Sequence, residues 1–86
     1  MQIKYNSWLA KLLPKRFVAI TIWRTIHIRG FTASPALLSH EKQHVIQWEE
    51  NGFFKFAVLY LWYSIRYGYY NNPFEVEARK AEYNAS

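Results

Sequence analysis

Two histidines four residues apart with a glutamate beside the first, His40, Glu41 and His44 in the run SHEKQHVIQ from Ser39 to Gln47, are the residues of this chain best suited to do chemistry. On an α-helix, positions four apart lie one above the other, so His40 and His44 can offer two imidazoles to one metal ion. Glu41 then stands next to that ion. A carboxylate there can take a proton from an activated water and pass it on, the division of labour in zinc-dependent peptide hydrolysis. The chain has no Cys. Disulfides and thiolate zinc sites are therefore excluded, and a metal must be held by His and carboxylate.

A catalytic zinc usually takes three protein ligands and keeps one position open, so a third ligand has to be found. His27 is the only other histidine, and it sits in a strand-like stretch where a surface or partly buried side chain is the simpler role. Glu50 follows His44 by six residues, the spacing at which some H-E-x-x-H proteins place a ligand after a glycine break. Gln47 occupies the place of that glycine, so the helix continues and Glu49 and Glu50 read as a solvated face. Glu75 and Glu77 remain, in NPFEVEA from Asn72 to Ala78. At 100° per residue they point about 200° apart, so only one can face the metal. Glu75 shares a face with the small Ala78, with Arg79 and with Glu82, whereas Glu77 falls with Phe74 and Ala81. Asn72 to Glu75 also has the spacing of a helix-capping pair, which competes for the same carboxylate. With HEKQH upstream, Glu75 is the expected third ligand.

The elements that must position these residues follow from pattern. Tyr5 to Leu13 has the spacing of a short amphipathic helix lying on the core, ending before Pro14. Phe17 to Arg29 is rich in β-branched and aromatic residues and reads as two short strands turning near Trp23 and Arg24, or as one long bent strand. Ser34 and Pro35 are a helix start, and Asn51-Gly52 a stop. Phe53 to Tyr67 is a second helix, apolar nearly all round, whose aromatics are expected in the core. Asn72-Pro73 opens a last helix through about Tyr83. The expected fold is a single α+β domain over residues 1–86, a short N-terminal helix and a two-stranded β segment followed by three α-helices with HEKQH on the first of them.

LLSHEKQHVIQW followed, after an aromatic helix, by YNNPFEVEA resembles the small zincin-like metallopeptidases of the gluzincin kind found in bacteria and phages. Those show H-E-x-x-H-x-x-Q, a helix, then N-P-x-E-x-E-A, and the likeness covers Phe17 to Glu82. It implies Zn²⁺ as cofactor, His40, His44 and Glu75 as ligands, Glu41 as general base, and a peptide or protein as substrate. Gluzincins commonly carry an Asp four residues after the ligand Glu. Here that position is Arg79, and all six acidic residues are Glu. Support for a ligand histidine would have to come from Glu77, Glu82 or a backbone carbonyl.

The leading expectation is a zinc-dependent metallopeptidase. Its substrate would extend along Ile26 to Arg29, with Tyr69, Tyr70, His27 or Arg79 as donor to the developing oxyanion. The alternative is a non-catalytic zinc-binding structural or interaction module, for example in a larger or phage assembly. The formal charge is +5, yet Lys and Arg are scattered from Lys4 to Lys80, and nucleic-acid binding is not expected. Within the aromatic-rich region Phe53 to Tyr70 the longest uncharged stretch, Phe56 to Ile65, is about half of the roughly 20 residues a spanning helix needs. No signal peptide is read at the N-terminus, so a cytoplasmic location is expected, with virion association if the chain is phage-derived. Core burial of the aromatics is the simpler account, so peripheral membrane contact is not expected either.

Overall fold

The chain runs β1 (Gln2–Lys4), α1 (Trp8–Lys11), β2 (Ala19–Ile22), β3 (Thr25–Ile28), α2 (Pro35–Asn51), α3 (Phe53–Tyr67) and α4 (Pro73–Ala85) in a computed structural model that describes residues 1–14 and 17–85. The class is α+β, as the pattern implies. The helix signals act where they stand: the Ser34 hydroxyl accepts from the Leu37 amide at 3.1 Å, with Pro35 in the first turn. Gly52, at φ 84°, ends α2 and opens α3 in the same residue. A side chain there would be strained, which is why this position suits glycine.

The N-terminus differs from its expected form. Gln2–Lys4 is a strand, parallel to β3, and the helix shrinks to four residues, with Trp8 and Leu12 exposed and only Ala10 buried. The cause is tertiary: hydrogen bonds from Gln2 to Arg24, Asn6 to Gly30 and Ser7 to Ile28 tie the segment to the β3 region. The Arg29 guanidinium adds bonds to the carbonyls of Ala10, Leu13 and Phe17. Pairing of this kind outweighs the weak helical preference of a nine-residue segment.

β2 and β3 form the expected hairpin, closed by Trp23-Arg24. Trp23 adopts φ 57° without being glycine. Its indole packs edge-on against Trp48 and Phe53, with the Arg24 guanidinium 4.9 Å from its ring, contacts that offset the roughly 1–2 kcal/mol cost of that backbone state. The strand order β1-β3-β2 puts β3 in the middle. Thr25 to His27 are thus paired on both sides, and the Ile28 carbonyl accepts from the Ser7 amide, so the stretch Ile26 to Arg29 offers no open edge along which an extended peptide could lie. The edge on the site's side of the sheet belongs to β2.

α2 packs on β2 and β3 with one face and on α3 and α4 with the rest. Ile26, Ile28 and Val45 form the centre of the core, joined by Ile3, Ala19, Ala33 and Leu38. On α4, Ala78 is fully buried, the close approach that its small side chain permits. The second correction concerns α3. It is not a buried element: among its residues only Phe56 is buried, while Phe54, Val58, Leu61, Trp62 and Ile65 are exposed. In a domain this small one helix has too few neighbours to cover an all-round apolar surface.

Asn72 locks α3 to α4. It is fully buried, donates to the Tyr60 carbonyl at 3.1 Å and the Ser64 hydroxyl at 2.9 Å, and accepts from the Phe74 amide at 2.9 Å. Its own amide donates to the Tyr69 carbonyl, so Glu75 is not its capping partner. Asn72→Ala should destabilise the protein by about 1–3 kcal/mol in urea unfolding, and Asn72→Asp by more, because a buried carboxylate would face the Tyr60 carbonyl.

Candidate metal centre

α2 places His40 and His44 one turn apart, their rings 5.1 Å from each other, and α4 brings Glu75 across to both. His40 Nε2 lies 3.1 Å from Glu75 Oε1, and His44 Nε2 lies 3.1 Å from Glu75 Oε2. One ligand atom from each of the three falls within 4.8 Å of the others. An ion with bonds of ~2.0–2.1 Å in tetrahedral geometry spaces its ligand atoms about 3.3 Å apart, near the 3.1 Å from each imidazole to its own Glu75 oxygen.

The hydrogen-bond network fixes which ring nitrogens face inward. Gln47 donates through Nε2 to the Phe74 carbonyl at 2.9 Å and to Glu77 at 2.8 Å. Its Oε1 must therefore be an acceptor, and His44 Nδ1, 2.8 Å away, must carry the proton. Glu82 accepts in the same way from His40 Nδ1 at 2.8 Å. Both Nε2 atoms then turn their lone pairs towards the Glu75 carboxylate. Two lone pairs facing an anion require a cation between them, either shared protons or a metal ion. Two imidazole nitrogens with one carboxylate suit zinc or another first-row transition ion better than Mg²⁺ or Ca²⁺, which prefer all-oxygen sets.

The electrostatics agree. Burial disfavours charge on His40, but the carboxylates of Glu75 and Glu82 outweigh it, and its pKa is raised. For His44 burial is likewise outweighed, here by the bond to Glu75 and its charge, again raising the pKa. Burial alone would raise the pKa of Glu75. The bonds from His40 and His44, with the phenol of Tyr60 donating to Oε2, instead hold it far below the usual carboxylate range.

Glu41 lies beside this cluster and outside the ligand set. Its Oε2 accepts from the Thr21 hydroxyl at 2.8 Å, and burial raises its pKa despite that bond and the two histidines. Glu41, His44 and Glu75 form the polar wall of a cleft of about 460 Å³ whose other walls are largely apolar, among them Phe17, Ile20, Trp48, Phe56 and Leu61. Tyr69 also lines it, its pKa pushed up to about 12 by burial and by the charges of Glu75 and Glu41.

Of the residues singled out in the sequence, His40, His44 and Glu75 come together, and Glu41 borders them. His27 does not join: it is buried with Nδ1 2.9 Å from the Ser7 hydroxyl. Glu50 is exposed, and Glu49 pairs with Arg24 at 3.6 Å. Arg79 is drawn off by Tyr70, over whose ring it sits at 3.9 Å. Glu82 supplies the support for His40 that the missing Asp left open. Thr21, Gln47 and Tyr60 are the residues not singled out from the sequence, Thr21 lying unmarked within a strand pattern. Gln47 stood three residues after His44, on the same helical face, which was the available signal. Tyr60 had none within an apolar helix.

No family model, curated protein or solved structure matches this chain. What the structure supports is a candidate metal-binding group, His40, His44 and Glu75, whose ligand atoms lie close enough together to hold one ion.

The triad should bind one divalent transition-metal ion, and Glu75→Ala should reduce bound metal to below stoichiometric amounts by elemental analysis. Gln47→Ala and Glu82→Ala should retain metal with affinity lowered about 10–100-fold. Because the raised histidine pKa values keep protons on Nε2 that the metal must displace, affinity should rise with pH through the histidine range and fall below it. Calorimetry in buffers of different ionisation enthalpy would detect the released protons.

Proposed function

We propose that the protein is a minimal zinc-dependent peptide hydrolase, with His40, His44 and Glu75 holding the ion and Glu41 as general base. The observation that carries this reading is the position of Glu41: a buried carboxylate on the cleft wall, next to the ligand cluster yet no part of it, with one oxygen held by Thr21. A purely structural metal site has no use for such a group. Zinc, when bound, would supply Lewis acidity and bring the pKa of a water towards about 7.

The remaining work falls to the chain's own side chains. Thr21 fixes the rotamer of Glu41, leaving its second oxygen to accept a water's proton and deliver it to the leaving amine. Among the four candidate oxyanion donors we favour Tyr69, which lines the cleft beside Glu75, to which its phenol is hydrogen-bonded, and stays protonated at neutral pH. His27 is tied to Ser7, and neither Tyr70 nor Arg79 lines the cleft, the Arg79 guanidinium donating to the Tyr70 backbone carbonyl.

An extended substrate would pair with β2 rather than β3. The bond from the Arg29 amide to the Val18 carbonyl sets the alternation of the hairpin ladder, so Ala19 and Thr21 turn their backbone groups away from β3, on the cleft side. Trp48 already donates to the Thr21 carbonyl at 3.3 Å, leaving Ala19 and the Thr21 amide for a peptide.

A second reading has its own observation. The ligands bridge α2 and α4, so a metal would also staple a small domain that has no disulfide. Glu41→Gln separates the two. The variant should keep one metal and its melting temperature while hydrolysis of an unstructured protein substrate falls by about a hundredfold or more. Undiminished hydrolysis in Glu41→Gln would remove Glu41 as base. Zinc-dependent stabilisation of a wild-type protein that cleaves nothing would favour the staple.

A further inference from the structure

We propose that the exposed face of α3 is a docking surface for an anionic lipid bilayer. Phe54, Val58, Leu61, Trp62 and Ile65 are 81%, 66%, 62%, 53% and 77% exposed. At 100° per residue they occupy an arc of about 100° along the whole helix, a continuous apolar stripe rather than scattered surface residues. The helix is about 22 Å long, and no helix among the described residues is long and apolar enough to cross a membrane, so contact would be in the plane of the interface.

Charge selects the partner. Lys55 and Arg66 are exposed and follow one another along one edge of the stripe, and α3 contains no acidic residue. Antiparallel pairing of this face with a second copy would bring the two cations of each helix together with no carboxylate of α3 between them, and parallel pairing would leave both cationic edges without an α3 carboxylate as partner. The glutamates elsewhere are largely engaged: Glu41 and Glu75 are buried at the metal centre, Glu77 and Glu82 hold Gln47 and His40, and Glu49 faces Arg24. With a net charge of +5, an apolar stripe bordered by Lys and Arg complements a surface that offers anionic headgroups above hydrocarbon. Trp62, at the edge next to the cations, is the residue type that settles at the headgroup level. Leu61 belongs to both the stripe and the cleft wall, so a docked helix would set the cleft mouth against the bilayer surface.

The test is flotation of the full chain with vesicles of phosphatidylcholine alone and of an equimolar mixture with phosphatidylglycerol, in chelator so that metal plays no part. The protein should float with the anionic vesicles and much less with the neutral ones. Lys55→Gln and Arg66→Gln should each weaken binding about fivefold. Val58→Glu with Ile65→Glu, at exposed positions that do not line the cleft, should abolish binding with an unchanged melting temperature. Should that double variant unfold, quenching of Trp62 fluorescence by brominated lipid, against a Trp62→Phe control, decides in its place. Wild-type protein that stays behind with anionic vesicles overturns the proposal, as does binding indifferent to Val58→Glu/Ile65→Glu. So does a self-associated wild type that the double variant turns monomeric, which would assign the face to a second copy. The metal assignment is tested separately and stands or falls on its own.

Discussion

The Glu75 carboxylate is taken almost wholly out of water at the junction of three helices, and much of the local structure answers that one charge. An unpaired carboxylate there would cost several kcal/mol. Two imidazoles from α2 and a phenol from α3 meet its two oxygens, so each helix contributes a group that only makes sense in the presence of the others. The requirement extends outward. The histidines need acceptors for their outer nitrogens, which Gln47 and Glu82 provide, and Gln47 is itself oriented by Glu77 and the Phe74 carbonyl. Among the described residues no buried side-chain polar atom lacks a partner. A network satisfied to this degree specifies a single arrangement of side chains, and preorganisation of that kind is what a metal site or an active site requires.

The same economy shapes the cleft. One helix, α2, carries two histidines of the candidate metal centre, the buried Glu41 beside them and the indole that donates to a β2 carbonyl, and its other face packs on the sheet. The site therefore has a rigid floor and a rigid strand at its side without a second lobe. Size limits what remains: with so few elements, apolar surface that a larger domain would bury stays in contact with solvent, both in the cleft and on α3.

What the sequence made legible is what depends on local chemistry. The Ser34-Pro35 start, the Asn51-Gly52 stop and the Asn72-Pro73 opening rest on capping and backbone rules that act within a few residues, and the helices begin and end there. His40 and His44 were visible because their spacing matches the helical repeat. Glu75 could be reached by elimination only because the chain is poor in acids. Non-local effects were not legible. β1 is three residues long, too short for alternation to register, and exists through pairing with β3. The central place of β3 is a matter of topology. Periodicity reports that α3 is apolar but not whether anything covers it, and its exposure reversed the expected burial. Gln47 looked like the absence of a glycine rather than the presence of an acceptor.

Gly52 joins α2 to α3 with no loop at all, and a joint of a single residue has no slack. His44 lies eight positions before it, about 12 Å along the helix axis. The ligand cluster and the outer face of α3 are consequently mounted on one bracket, braced a second time where Tyr60 grips Glu75. With no intervening linker, a tilt of α3 would have to be taken up at Gly52 itself or passed to α2 and the histidines it carries. In mechanical terms α3 is a lever arm hinged next to the candidate metal centre.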